Sequence, residues 1–196
     1  TPLSDTEIRA FDDFALALTM PPNPVRALDD SLTPAQEAGR SFYFTGIVDT
    51  TTCAGCHVLS STAGFFGTDG RASFEGESQH FKIPQLRNLY ARVGMFGMPA
   101  VPFTTPGDNA YTGDQVRGFG FLHDGSMDTL FRFFRATVFN FTGGDPVRRQ
   151  VEQFMFAMDS NLKPVVGQQV TLAAGNAGVV TPRLGLFVGQ ASLGNA

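Results

Sequence analysis

The sequence predicts an all-α, loop-rich fold with extensions at both ends, and three observations carry that prediction. Four segments place apolar residues at helical spacing behind capping or helix-starting residues. Twenty-two Gly and twelve Pro require much of the remaining backbone to be turn and loop. No alternation of strand and helix follows the run "YFTGIVDTTT", so a βαβ architecture has no support.

A chain of 196 residues suits one domain with extensions. The expected division is 1–30 as an N-terminal helix and Pro-rich linker, 31–164 as the main domain, and 165–196 as a Gly-rich extension. Twenty Phe and no Trp, with 42% hydrophobic and 16% charged residues, describe a globular chain and not a disordered one. A net charge of −4 argues against nucleic acid or an anionic membrane as partner. No apolar run approaches the roughly 18 residues of a membrane span, and no signal-peptide pattern opens the chain.

The elements follow in order. "SDTEIRAFDDFALAL" opens on a capping box, Ser4 with Glu7, and carries Ile8, Phe11, Ala15 and Leu18 on one face before "MPPNP" ends it. Thr33, Pro34 and Gln36 start a second helix, in which Gly39 permits close approach of a crossing helix and Tyr43 lies one turn later. Residues 58–125 read as loop, with "PQLRNLY" (84–90) as a short helix. Ser126 is expected to cap "MDTLFRFFRATVF", whose Met127, Leu130, Phe131, Phe134 and Val138 form a stripe. Asp145 and Pro146 start a helix through 161, with Val147, Val151, Phe154, Met155, Met158 and Leu162 at helical spacing and Pro164 closing it. Beyond it, tail, linker and a pair of short strands all stay open. No internal repeat is present.

Chemistry concentrates at "TTCAGCHVLS" (51–60), which holds both cysteines of the chain. Three chemistries use this spacing: a redox-active disulfide, half of a zinc site, or two thioether bonds to a haem whose iron the histidine binds. A thioredoxin-like disulfide lacks its α/β context. Zinc would need two more ligands, and His80 and His123 do not fall at zinc-ligand spacing. Covalent haem employs Cys53, Cys56 and His57 together, and the Phe-rich composition would supply the apolar wrapping it requires.

With "LTPAQEAGRSFYF", "CAGCH", "FKIPQLRN" and "FLHDGSMDTLFRF" in that order, residues 32–163 resemble the carboxy-terminal haem domain of the bacterial dihaem cytochrome c peroxidase and MauG-like family. The resemblance implies a class I cytochrome c fold around one covalent haem c, with the helix at 33–43 crossing that at 145–161. The opening helix resembles the closing helix of a cytochrome c domain, which implies a preceding domain; an ordinary N-terminal helix is the alternative. Covalent haem further implies export to the periplasm, the outer-membrane surface or the medium, and a chain that is a mature form or an excised fragment. The sequence departs from the family pattern in having one C-x-x-C-H motif, an enlarged loop between "LRN" and "HDG", and Thr137 where the family has its distal methionine.

The sixth iron ligand decides function, because Met ligation suits electron transfer and an open face permits peroxide binding. Met98 comes first, since "GMPA" resembles the Met-Pro loop of small bacterial cytochromes c; Met95, Met127 and His123 follow. Met155 and Met158 lie on a core stripe, and Met20 reads as a loop or core residue. The resemblance implies that Arg87 pairs with a haem propionate; the alternative is a solvated arginine. His123 is either a distal-side group or a hydrogen-bonded turn residue, and His80 has only its family position. Asp69, Glu75 and Glu77 in "GTDGRASFEGE" are candidate calcium ligands without the EF-hand order, the alternative being a solvated acidic loop. The expected function is one-electron transfer with a redox protein or an adjoining redox domain. A peroxidase-like enzyme with an open distal site, forming half of a longer dihaem protein, is the alternative, and a sensor or attachment module is a third reading.

Overall fold

The computed structural model describes residues 2–73, 80–93, 118, 120–122 and 125–195; within these, helices dominate and long loops connect them. In chain order the helices are α1 (Asp5–Ala17), α2 (Pro34–Thr45), the single turn α3 (Cys53–Cys56), the short α4 (Leu130–Phe133), α5 (Gly144–Phe156) and α6 (Ala177–Ser192). Two minimal antiparallel ladders qualify the all-α expectation. β1 (Leu59–Ser60) pairs with β2 (Phe65–Phe66), and β3 (Ala72–Ser73) pairs with β4 (Phe81–Lys82). No helix among the described residues is long and apolar enough to cross a membrane.

The first two helices start as their sequences predict. The Ser4 hydroxyl accepts from the Glu7 N–H while the Glu7 carboxylate accepts from the Ser4 N–H, and Thr33 and Gln36 repeat that exchange at α2. Their environments then diverge. Every residue of α1 is exposed, its Phe11 and Phe14 included. By contrast, α2 crosses α5 so closely that a Cβ on Gly39 would lie 2.0 Å from the Gln150 carbonyl oxygen. Only glycine permits that approach.

The core fills the angle of this crossing. Tyr43 and Val151 are fully buried, and the Tyr43 and Phe154 rings meet edge to face with centroids 5.4 Å apart. Phe42 stacks on Phe141 at 5.2 Å. Leu86, Leu89, Met127, Leu130 and Phe134 complete the cluster, with Cys53 and Ala54 packed against its edge. Within it lies the ion pair Asp128–Arg132 (2.9 Å), both partners withdrawn from water.

Several expectations need correction. Leu89–Ala91 forms only a 3-10 turn in place of a helix over 84–90, because Asn88 takes left-handed backbone (φ 58°), which an α-helix cannot contain. The helix expected from Ser126 begins at Leu130 and spans one turn. Thr129 is its cap, accepting from the Arg132 N–H, and Met127 is held in an extended bridge to Phe121. Similarly, α5 stops at Phe156, and residues 157–163 form an irregular segment. Asn23 donates there to the Phe156 and Met158 carbonyls (2.7 and 2.8 Å), and Arg26 donates to Ala157 (3.1 Å) and pairs with Asp159. Finally, the C-terminal extension contains α6 despite Pro182 and three glycines inside it.

Candidate functional site

Thr52 creates the local geometry of the Cys-His motif. Its hydroxyl accepts from the Gly55 N–H (3.1 Å) and so caps α3. Cys53 and Cys56 then stand three residues apart on one turn, the spacing that brings side chains to a common face. Neither is in a disulfide; Cys53 is half-buried and Cys56 exposed. Burial pushes the Cys53 thiol up to about 11. It is therefore protonated at neutral pH, the reverse of the depressed thiol that a redox-active Cys-x-x-Cys pair requires.

His57 ends the turn, its N–H donating to the Cys53 carbonyl (2.8 Å). Its own carbonyl accepts the hydroxyl of buried Tyr43, which ties the motif to α2. On the ring, Nδ1 faces the carbonyl oxygens of Gly67 (3.0 Å) and Pro84 (3.3 Å). Carbonyls only accept, so Nδ1 carries a proton, and a ring that is neutral with this proton in place has its lone pair on Nε2. That is the tautomer and anchoring found for histidines that bind metal through Nε2. Gly67 fits its place because its φ is +89° and a Cβ would meet Leu86 Cγ at 2.5 Å. Flanking bonds, Gly67 N–H to Val58 (2.8 Å) and Leu86 N–H to Phe66 (2.8 Å), hold both acceptor loops.

Arg87 lies beside this anchor. Its backbone N–H and Nε donate to Gln85 Oε1 (2.6 and 3.0 Å), Nη1 donates to Asn161 Oδ1, and the guanidinium sits 4.7 Å from the Phe66 ring centre. Burial pulls its pKa down, yet a guanidinium stays cationic throughout the working range.

The other candidates scatter. Met95, Met98, His123, Glu75 and Glu77 lie outside the described residues. Met127 is a core residue, 3% exposed, and Met155 and Met158 are buried as their stripe predicts. Met20 accepts from Asn88 Nδ2 through its sulfur (3.3 Å), and His80 is exposed. Asp69 is occupied by Arg71 (2.6 Å). Thr137 falls in the turns after α4. Among the described residues, no three His, Cys, Asp or Glu side chains gather as a metal cage.

Sequence reasoning missed Gly67, Pro84, Gln85, Phe66 and Asn161. Pro84 and Gln85 sit within the quoted "FKIPQLRN", but a carbonyl acceptor has no residue-type signature. A cleft of about 560 Å³ lies apart from the motif, lined by Arg26, Asp30, Glu37, Arg40, Phe44 and Leu59 among others. It touches none of Cys53, Cys56 and His57, and its cations are taken up by its own carboxylates. Compared with known proteins, the chain matches no family model, no curated protein and no solved structure.

Proposed function

We propose that this chain is a c-type cytochrome domain that carries one electron at a time. One haem c would be held by thioether bonds from Cys53 and Cys56, with His57 Nε2 as the proximal iron ligand. The observation that supports this reading is the His57 ring, whose Nδ1 faces two backbone carbonyls beside two thiols that are not joined to each other. The donor set suits the group: two thiols on one turn, an oriented imidazole, and an arginine close to the same loops. Bound haem supplies reversible one-electron chemistry at iron. The chain would fix the proximal imidazole through the Gly67 and Pro84 carbonyls, with Phe66 and Leu86 packed at the same loops, and would present Arg87 for a propionate. The α2/α5 crossing at Gly39 agrees with a class I cytochrome c arrangement.

Met98 is the proposed sixth ligand, ahead of Met95; Met127 would have to leave the core to serve, and His123 is the bis-histidine alternative. Export to an oxidising compartment and a redox protein or adjoining redox domain as partner belong to the same reading.

The test is expression with export and a haem-attachment apparatus, followed by denaturing mass measurement and absorption spectra with and without peroxide. Haem that stays with the denatured chain, and is lost in the double variant Cys53→Ala, Cys56→Ala, is the expected result. A near-infrared ferric band lost in Met98→Ala and indifferent to peroxide supports the carrier. A high-spin spectrum that peroxide converts to a new species replaces it with the peroxidase-like enzyme, and a wild-type chain without covalent haem overturns both.

A further inference from the structure

We propose that Asn161 is a positioning residue for Arg87, through which the segment preceding the domain sets the electrostatics of the haem site; the inference rests on the haem reading above. The side-chain oxygen of Asn161 accepts twice, from the Met20 backbone N–H (3.0 Å) and from Arg87 Nη1. Both of its lone pairs are thereby used, so one atom joins a strap that precedes α2 to a cation beside the motif.

Each side of that joint is firm. The strap is clasped to residues 156–163 by Asn23, which is 2% exposed and donates to two carbonyls, and by Arg26 and Lys163, which pair with Asp159 and Asp30. Ser160 Oγ adds a bond to the Pro21 carbonyl (2.7 Å). Asn88, the residue after Arg87, reaches the Met20 sulfur (3.3 Å). On the other side, Arg87 is held by Gln85 and set over the ring of Phe66, the residue preceding Gly67, whose carbonyl faces His57. Among the described residues no carboxylate pairs with Arg87. Among the described residues it is a cation held in place by neutral groups, which suits it to an anion. Asn161 suits such a post because an amide fixes the guanidinium without neutralising it, which an aspartate at the same position would do.

The consequence is measurable as a reduction potential. A fixed cation that offsets a propionate makes reduction easier; once the cation is released or neutralised, the potential falls and acquires a slope with pH near neutrality, as the propionate titrates. The experiment compares holoprotein variants by redox titration at several pH values, after wild-type covalent haem has been established by denaturing mass measurement. Asn161→Leu and Asn161→Asp are both expected to lower the potential. Asn161→Asp keeps an oxygen for the Met20 N–H and so should retain the wild-type unfolding midpoint. Ser160→Ala removes a neighbouring clasp bond without touching Arg87; it should lower that midpoint and leave the potential alone. Arg87→Leu fixes the largest shift to be expected. Haem bound as proposed, but with Asn161→Leu and Asn161→Asp at the wild-type potential, overturns the inference while the haem reading stands. A wild-type chain without covalent haem removes the reading and the inference together.

Discussion

Helices α1 and α2 carry the same local signals and meet opposite fates. Both open on a reciprocal capping box, Ser4 with Glu7 and Thr33 with Gln36, and both place apolar residues on one face. Yet α2 buries Gly39 and Tyr43 beneath α5, whereas α1 buries nothing. The caps explain why each segment is helical, since they satisfy end groups within the segment itself. What α2 has in addition is a glycine facing a backbone and a tyrosine whose hydroxyl has somewhere to go. Local signals thus specify the helix, and small, shape-dependent features specify where it docks.

The difference can be broken most severely at the crossing. Gly39→Ala forces α2 and α5 apart and is expected to cost about 3 kcal/mol or more, read as a lowered denaturant midpoint. Next comes an alkaline effect that belongs to the free Cys53 thiol. Because burial raises the Cys53 thiol from 9.0 to about 11, the native state holds its proton more tightly than the unfolded chain does. The associated stability is complete below pH 9 and is lost as pH rises towards 11, by about 2 kcal/mol. The Tyr43 phenol, also pushed up by burial, adds to the loss at the upper end. Denaturation at stepped pH should show this slope, reduced in Cys53→Ala. Tyr43→Phe removes the hydrogen bond to the His57 carbonyl and should cost about 1 kcal/mol, with Tyr43 packing otherwise preserved. Gly185→Ala sharpens the contrast from the other direction. A Cβ there meets nothing within 4 Å, so helix propensity alone predicts a gain of up to about 1 kcal/mol in α6, read by circular dichroism. Smallest of all, Phe11→Ala on α1 should move the midpoint by less than about 0.5 kcal/mol, although Phe11 is the same size as the core residues Phe134 and Phe154.

The same distinction marks what was legible beforehand. The starts of α1, α2 and α5 were readable because Ser4, Thr33, Pro34, Asp145 and Pro146 act on their own neighbours, and Gly39 and Tyr43 announced a crossing. By contrast, α6 was hidden by Pro182 and its glycines, whose intrinsic preference opposes the helix they occupy. The short helix expected at "PQLRNLY" failed on the left-handed Asn88, and that expected from Ser126 lost its first turn to Thr129, a competing cap. At the candidate site, Cys53, Cys56 and His57 were plain in the sequence. Their supports were not, because the carbonyls of Gly67 and Pro84 belong to the backbone and Asn161 comes from a distant segment.

The reach of these supports imposes a schedule on biosynthesis. Cys53, Cys56 and His57 leave the ribosome before Gly67 and Pro84, the residues that orient the imidazole, and long before Gln150, against which Gly39 closes the core. Contacts so distant along the chain form late and slowly. The Cys53 thiol therefore passes through a period in which it is more accessible than in the folded chain, where it is half-buried, whereas Cys56 is exposed before and after folding.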